Sequence, residues 1–123
     1  MILKDEFYTV LHPVITAGSL HAVLELNPDH AIFLGHFRGQ PVVPGVCMLQ
    51  MTKELLETAM DKPTRLLKGS ELKFLSVIDP RQNKQVNVEL SYTPDSNDSV
   101  TVTARLFYNE TNFFKFKGIF AAE

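Results

Sequence analysis

GHFRGQPVVPGVCMLQMTKELLETAM, residues 35–60, changes character part-way along. Its opening carries Gly35, Gly39, Pro41, Pro44 and Gly45, residues that free or stiffen the backbone around turns. Beyond Gly45 the segment contains neither glycine nor proline, and Met, Leu, Gln, Lys and Glu fill most of it. A proline at the start and strong helix formers through the body predict one long helix over residues 44–60. Gln50, Lys53, Glu54 and Glu57 fall three and four apart and so share a polar stripe. Val46, Leu49, Leu56 and Met60, with Met48, Met51, Leu55 and Ala59, cover the rest of the surface. A helix this apolar must be buried on most sides.

The rest of the chain supplies the covering. Residues 85–92 alternate, with Val86, Val88, Leu90 and Tyr92 on one face and Gln85, Asn87, Glu89 and Ser91 on the other, which is the pattern of a half-buried strand. After a turn cluster at residues 94–98, Val100, Val102, Ala104, Leu106 and Tyr108 repeat it, so the two runs predict an antiparallel hairpin. Residues 113–120 continue as a strand, and residues 66–74 supply one before the hairpin. Residues 8–26, rich in Val, Ile, Leu and Thr and broken by Pro13 and by Ala17-Gly18-Ser19, predict two more. One buried helix and about six antiparallel strands make an α+β architecture in which the sheet wraps the helix. The turn clusters are short and there is no repeat or linker, so residues 1–123 are expected to form a single domain.

Composition removes several function classes. The chain is 45% apolar and 21% charged, with a formal net charge of −2 and its Lys and Arg dispersed. It lacks the basic tract that binding a phosphate backbone requires, so no nucleic-acid partner is expected. No cationic start followed by an apolar run and no bilayer-length apolar stretch occurs, which predicts a cytoplasmic protein with no membrane association. A lone Cys47 cannot form an internal disulfide or a cysteine zinc site, and it reads as a small buried side chain. His12, His21 and His30 do not pair at metal-ligand spacing, so neither metal nor cofactor is expected.

The chemistry concentrates before the helix. Pro41, Pro44 and Gly45 present the first helical amides at the end of a stiff turn, where the helix dipole adds positive potential. His36, between Gly35 and Phe37, lies just upstream, and Gly35 and Gly39 permit a backbone that aims an imidazole at those amides. Taken on its residues alone, His36 is either a base beside a carbonyl-polarising helix end or a hydrogen-bonded structural histidine.

The run NPDHAIFLGHFRGQPVVPGVCMLQ, residues 27–50, resembles the FabZ/FabA-like 3-hydroxyacyl-[acyl carrier protein] dehydratases, in which GHFPG, a short linker and PVMPGVLxxE follow one another without gaps. Lys73-Phe74, Asp79-Pro80 and Lys117-Gly118 extend a looser likeness over most of the chain. The resemblance implies a hot-dog fold assembled as a homodimer or a higher oligomer of dimers. It implies that His36 is the base and that the amides of Gly45 and Val46 polarise a thioester carbonyl. It also implies an acyl chain, delivered by acyl carrier protein or another thioester, beside Phe33, Phe37, Val42, Pro44 and Met48.

In that family an acidic residue on the central helix of the partner chain protonates the departing 3-hydroxyl, leaving a trans-2-enoyl thioester. The matching position here is Gln50, and an amide cannot donate a catalytic proton. Glu54 stands where these dehydratases often carry Gln, so the two look exchanged across ~6 Å of helix. Glu54 is therefore the candidate substitute acid, acting through water or on a shifted substrate, while an ordinary polar helix stripe explains the pair equally well. Arg38 replaces the motif proline. Dehydration is the leading activity, with a hot-dog thioesterase or a non-catalytic acyl-binding subunit paired with a catalytic homologue as the alternatives.

Overall fold

Alternation along the strands decides which face of the sheet meets the helix. In the computed structural model, which describes residues 1–35, 39–95 and 97–122, β1 (Tyr8–Thr16) and β2 (Ser19–Leu26) come first. Two helices, α1 (Ile32–Gly35) and α2 (Gly45–Met60), follow, and then β3 (Thr64–Phe74), β4 (Gln85–Pro94), β5 (Ser99–Tyr108) and β6 (Thr111–Ala122). The strands form one six-stranded sheet in the order β1-β2-β4-β5-β6-β3. Every pairing is antiparallel.

Registers place apolar residues opposite one another: Leu20 against Leu90, Val88 against Leu106, Val100 against Phe120. These six are buried, and α2 packs into the same core through Met48, Met51, Leu55 and Leu56. A single long helix held by a wrapped antiparallel sheet is the hot-dog arrangement. The six strands and the long helix fall where the sequence places them, within a few residues at each end. α1 was not expected, because four residues are too few to carry a helical period.

Pro44 caps α2 in an extended conformation (φ −62°, ψ 147°), and its carbonyl accepts the Cys47 and Met48 amides at 3.0 and 3.2 Å. At the other end Asp61 turns left-handed (φ 55°) and its N–H donates to the Glu57 carbonyl at 2.8 Å. The buried stripe of the helix differs from the expected one at two positions. Val46 is 65% exposed, whereas Glu54 is only 7% exposed. Glu54 follows Met51 by three residues and Cys47 by seven, so it lies on their inward stripe rather than with Lys53.

A bulge shapes one further region. The β5–β6 register shifts between Leu106 and Phe107, leaving Phe113 without a ladder position. Both Phe113 and Phe114 are consequently buried. The Phe113 carbonyl, released from the ladder, accepts the Leu75 amide at 2.9 Å and so ties the segment after β3 to the sheet.

Candidate active site

The first turn of α2 faces an open apolar cleft of about 450 Å³, lined by Val43, Gly45, Met48, Phe74, Leu75, Ser76 and Val77. Two backbone contacts hold its walls: Val43 N–H donates to the Ile78 carbonyl at 2.9 Å, and Leu75 is fixed on Phe113. Phe74 stacks on Phe114 with ring centroids 5.2 Å apart. Its ring edge lies so close to Gly45 that a Cβ there would meet Phe74 Cε1 at 2.9 Å. Glycine thus lets an aromatic wall approach the helix end. The Gly45 and Val46 amides, as first-turn donors, have no intrahelical acceptor. A carbonyl placed there would receive their hydrogen bonds and the helix dipole, with its apolar substituent in the cleft.

The site residues anticipated from the sequence divide. Gly45 and Met48 meet in the cleft, and Val46 is the next amide along. His36 and Phe37 lie outside the described residues, as does Arg38. Val42 and Pro44 are half-buried in the adjoining loop, and it is Val43 that lines the cleft. Phe33 belongs to the core instead: it is buried and stacks on Phe7 at 5.3 Å, because α1 turns its side chain inward. Phe74, Leu75 and Val77 were missed. Their signal was a dense apolar cluster just after a strand, where polar turn residues would be usual.

Glu54 occupies an unexpected place. Its Oε1 accepts the Lys4 amide and the Tyr8 hydroxyl, each at 2.9 Å, and its Oε2 accepts the Leu3 amide and Gln50 Nε2, each at 2.8 Å. Four donors fill the roughly four lone-pair positions of a carboxylate. No oxygen is left to face a substrate, so this geometry does not support Glu54 as the substitute acid. It binds the N-terminal segment to α2. Burial, and after it the Glu54 charge, push the Tyr8 phenol far above its ordinary range. The same two causes, in the same order, raise the Cys47 thiol, which makes it a poor nucleophile. Among the described residues no group of three or more His, Cys, Asp or Glu is placed to hold a metal ion, and no helix is long and apolar enough to cross a membrane.

The ApeI-like family, described as ApeI dehydratase, matches residues 13–117. The chain belongs to this family. The matched span contains the cleft, the motif around His36 and the Gln50–Glu54 pair. FabZ, the 3-hydroxyacyl-[acyl-carrier-protein] dehydratase of Haemophilus influenzae, is 33% identical over 66 residues, which is 54% of this chain and 44% of that protein. FabZ of Mannheimia succiniciproducens matches equally, over 43% of its length. The chain therefore spans less than half the length of these curated relatives. Among solved structures, the dehydratase heterocomplex ApeI:P from Xenorhabdus doucetiae superposes with a TM-score of 0.69 at 20% identity, over 93% of this chain and 97% of that one. Cj0977, a sigma28-regulated virulence protein of Campylobacter jejuni, reaches 0.74 at 8% identity, covering 100% and 88%. At these identities the structural likeness speaks for the hot-dog fold alone, and the family assignment rests on the ApeI-like match.

Proposed function

We propose that this ApeI-like chain works in the cytoplasm on 3-hydroxyacyl thioesters of acyl carrier protein, removing water to leave the trans-2-enoyl thioester in acyl-chain synthesis. The observation that carries this reading is the first turn of α2, where Gly45 lines an apolar cleft and the Gly45 and Val46 amides have no intrahelical acceptor. The thioester carbonyl sits on those amides and the acyl chain runs along Met48, Phe74 and Val77. His36 takes a proton from C2. The electron pair moves through an enolate held by the amides, the C2–C3 double bond forms as the C3–O bond breaks, and in this chain alone the hydroxyl leaves as water with a proton drawn from solvent.

The leaving hydroxyl needs that proton, and neither Gln50 nor the fully engaged Glu54 supplies it. This favours a second reading of the assembly. The chain pairs with a homologous hot-dog chain that carries the acid, as a heterodimer rather than a homodimer, and serves as its acyl-binding half. The neighbouring structure from Xenorhabdus is itself a heterocomplex.

The test is to incubate the purified chain with 3-hydroxyacyl and saturated acyl-carrier-protein thioesters and to follow enoyl product and free thiol separately. We expect dehydration that is lost in His36→Ala and that runs on the order of 10²–10⁴ below an acid-bearing dehydratase. Gln50→Glu should raise it. Dehydration that survives His36→Ala overturns the mechanism, and thiol release without enoyl selects a thioesterase. Turnover only after adding an acid-bearing homologue selects the two-chain assembly.

A further inference from the structure

α1 is four residues long, and a helix that short does not hold itself together. Its start is held by a histidine. The His30 carbonyl accepts the Phe33 amide at 3.1 Å, and His30 Nδ1 accepts the Ile32 amide at 3.1 Å, so His30 does the work of an N-cap. A backbone N–H can only donate, which leaves the lone pair on Nδ1 and the ring proton on Nε2. The imidazole packs edge-on against Phe7, with ring centroids 5.2 Å apart, and Phe7 stacks in turn on Phe33 of α1. Both phenylalanines are buried. Phe7 belongs to the N-terminal segment that Glu54 ties to α2 through the Leu3 and Lys4 amides. Asn27 completes the seat: its amide donates to the Phe7 carbonyl at 2.9 Å, its Nδ2 donates to the Glu6 carbonyl at 3.0 Å, and its carbonyl accepts the His30 amide at 3.3 Å. His30 is thus fixed by ring and backbone, and α1 hangs on it.

We propose that His30 is a positioning residue whose Nδ1 fixes α1 and thereby the point from which the chain delivers His36. This rests on the reading of His36 as the base. Gly35, the last residue of α1, is bonded directly to His36. Gly35 and Gly39 give the backbone around the motif its freedom, and a fixed point upstream is what limits it. A base must stand within hydrogen-bond reach of the proton it takes, and a displacement of ~1 Å can cost on the order of 10²-fold in rate. His30 itself touches neither the Gly45 and Val46 amides nor the apolar cleft, so its effect belongs in turnover rather than in binding.

Three substitutions separate the acceptor from the packing. His30→Phe keeps an aromatic ring for Phe7 without an acceptor, His30→Ala keeps neither, and His30→Asn restores an acceptor of N-cap reach without the ring. Dehydration of a 3-hydroxyacyl carrier-protein thioester is followed with the purified full chain, adding an acid-bearing homologue if the native chain needs one. Hydrogen exchange of the Ile32 amide is followed by NMR in the same proteins without substrate. We expect kcat about tenfold lower in His30→Ala and His30→Phe, the scale of one lost cap, with KM within about twofold of native. His30→Asn should recover kcat to within about threefold of native. Exchange at Ile32 should quicken about tenfold in the first two variants and not in His30→Asn. A merely structural cap would quicken exchange and leave kcat unchanged, which overturns the proposal, as does a His30→Phe protein with native kcat. An unprotected Ile32 amide in the native chain overturns it whatever the activity. If His36→Ala loses nothing, or no preparation dehydrates, the base reading itself fails, whereas a dead His36→Ala beside native kcat in His30→Ala removes only this inference.

Discussion

Removing Glu54 leaves four donors without their acceptor, and those donors belong to residues 46–51 positions away or one turn away in the sequence. Glu54→Leu should therefore lower stability by on the order of 3 kcal/mol, read as a lower urea midpoint, because orphaned buried donors cost more than the bonds they made. A midpoint equal to that of the native chain would mean that the N-terminal segment does not need this anchor. Tyr8 gives a pH signature of the same cluster. Its folded-state phenol is held well above the ordinary value of about 10, first by burial and then by Glu54. The folded chain thus keeps a proton that the unfolded chain releases. The contribution is complete below about pH 10 and is lost above it at up to ~1.4 kcal/mol per pH unit. Tyr8→Phe should cost about 1 kcal/mol at pH 7 yet flatten the stability loss between pH 10 and 11. Equal slopes for the two proteins would show that Tyr8 ionises without unfolding. At this scale the spacing of four that brings Gln50 and Glu54 together was legible. The burial of Glu54 was not, because its other partners come from the far end of the chain and no local pattern announces them.

Strands β4 and β5 were legible because each has one face in the core and one in solvent, which imprints period two on the sequence. The cleft wall was hidden because it depends on a bulge: Phe113 leaves the β5–β6 ladder and its carbonyl fixes Leu75. Bulges obey pairing between strands, not composition within one. β3 and β6 carry another such feature. Gly118 pairs with Gly69 across the two strands, and a Cβ at 118 would collide with the backbone carbonyl of Lys68 and with the Phe116 ring. Backbone cannot yield as a side-chain tip can. Gly118→Ala should accordingly destabilise the chain by about 2 kcal/mol or more, whereas alanine at Gly39, with nothing among the described residues within 4 Å, is strained chiefly by its φ of 81°. Thermal unfolding of both variants measures the difference. A Gly118→Ala protein as stable as the native chain would mean that β3 can slide off β6 at no cost.

The two edges of the sheet are built differently, and that bears on the assembly. At β1 the edge is blunted by Pro13, by a register shift between Leu11 and Val14, and by His12 in a left-handed conformation (φ 50°). At β3 an 11-residue strand ends the sheet, with β6 as its neighbouring strand among the described residues. Leu67, Leu72 and Phe74 on that strand are exposed, as are Leu75 and Val77 just after it and Val46 on the helix. Protected edges resist association, while a long edge beside apolar side chains invites it. We therefore predict that a second hot-dog chain covers β3, burying the ~1,200–2,000 Å² of a stable interface. Leu67→Lys combined with Val77→Lys tests this, because both side chains are exposed and their replacement should change the isolated chain by less than about 0.5 kcal/mol each. Sedimentation velocity should show the native chain at twice its 13.9 kDa and the double variant at the single mass with an unchanged circular-dichroism spectrum. If the native chain sediments at the single mass and doubles only with an acid-bearing homologue, the β3 edge serves a heterodimer. A native dimer untouched by the two lysines would move the interface away from β3 altogether.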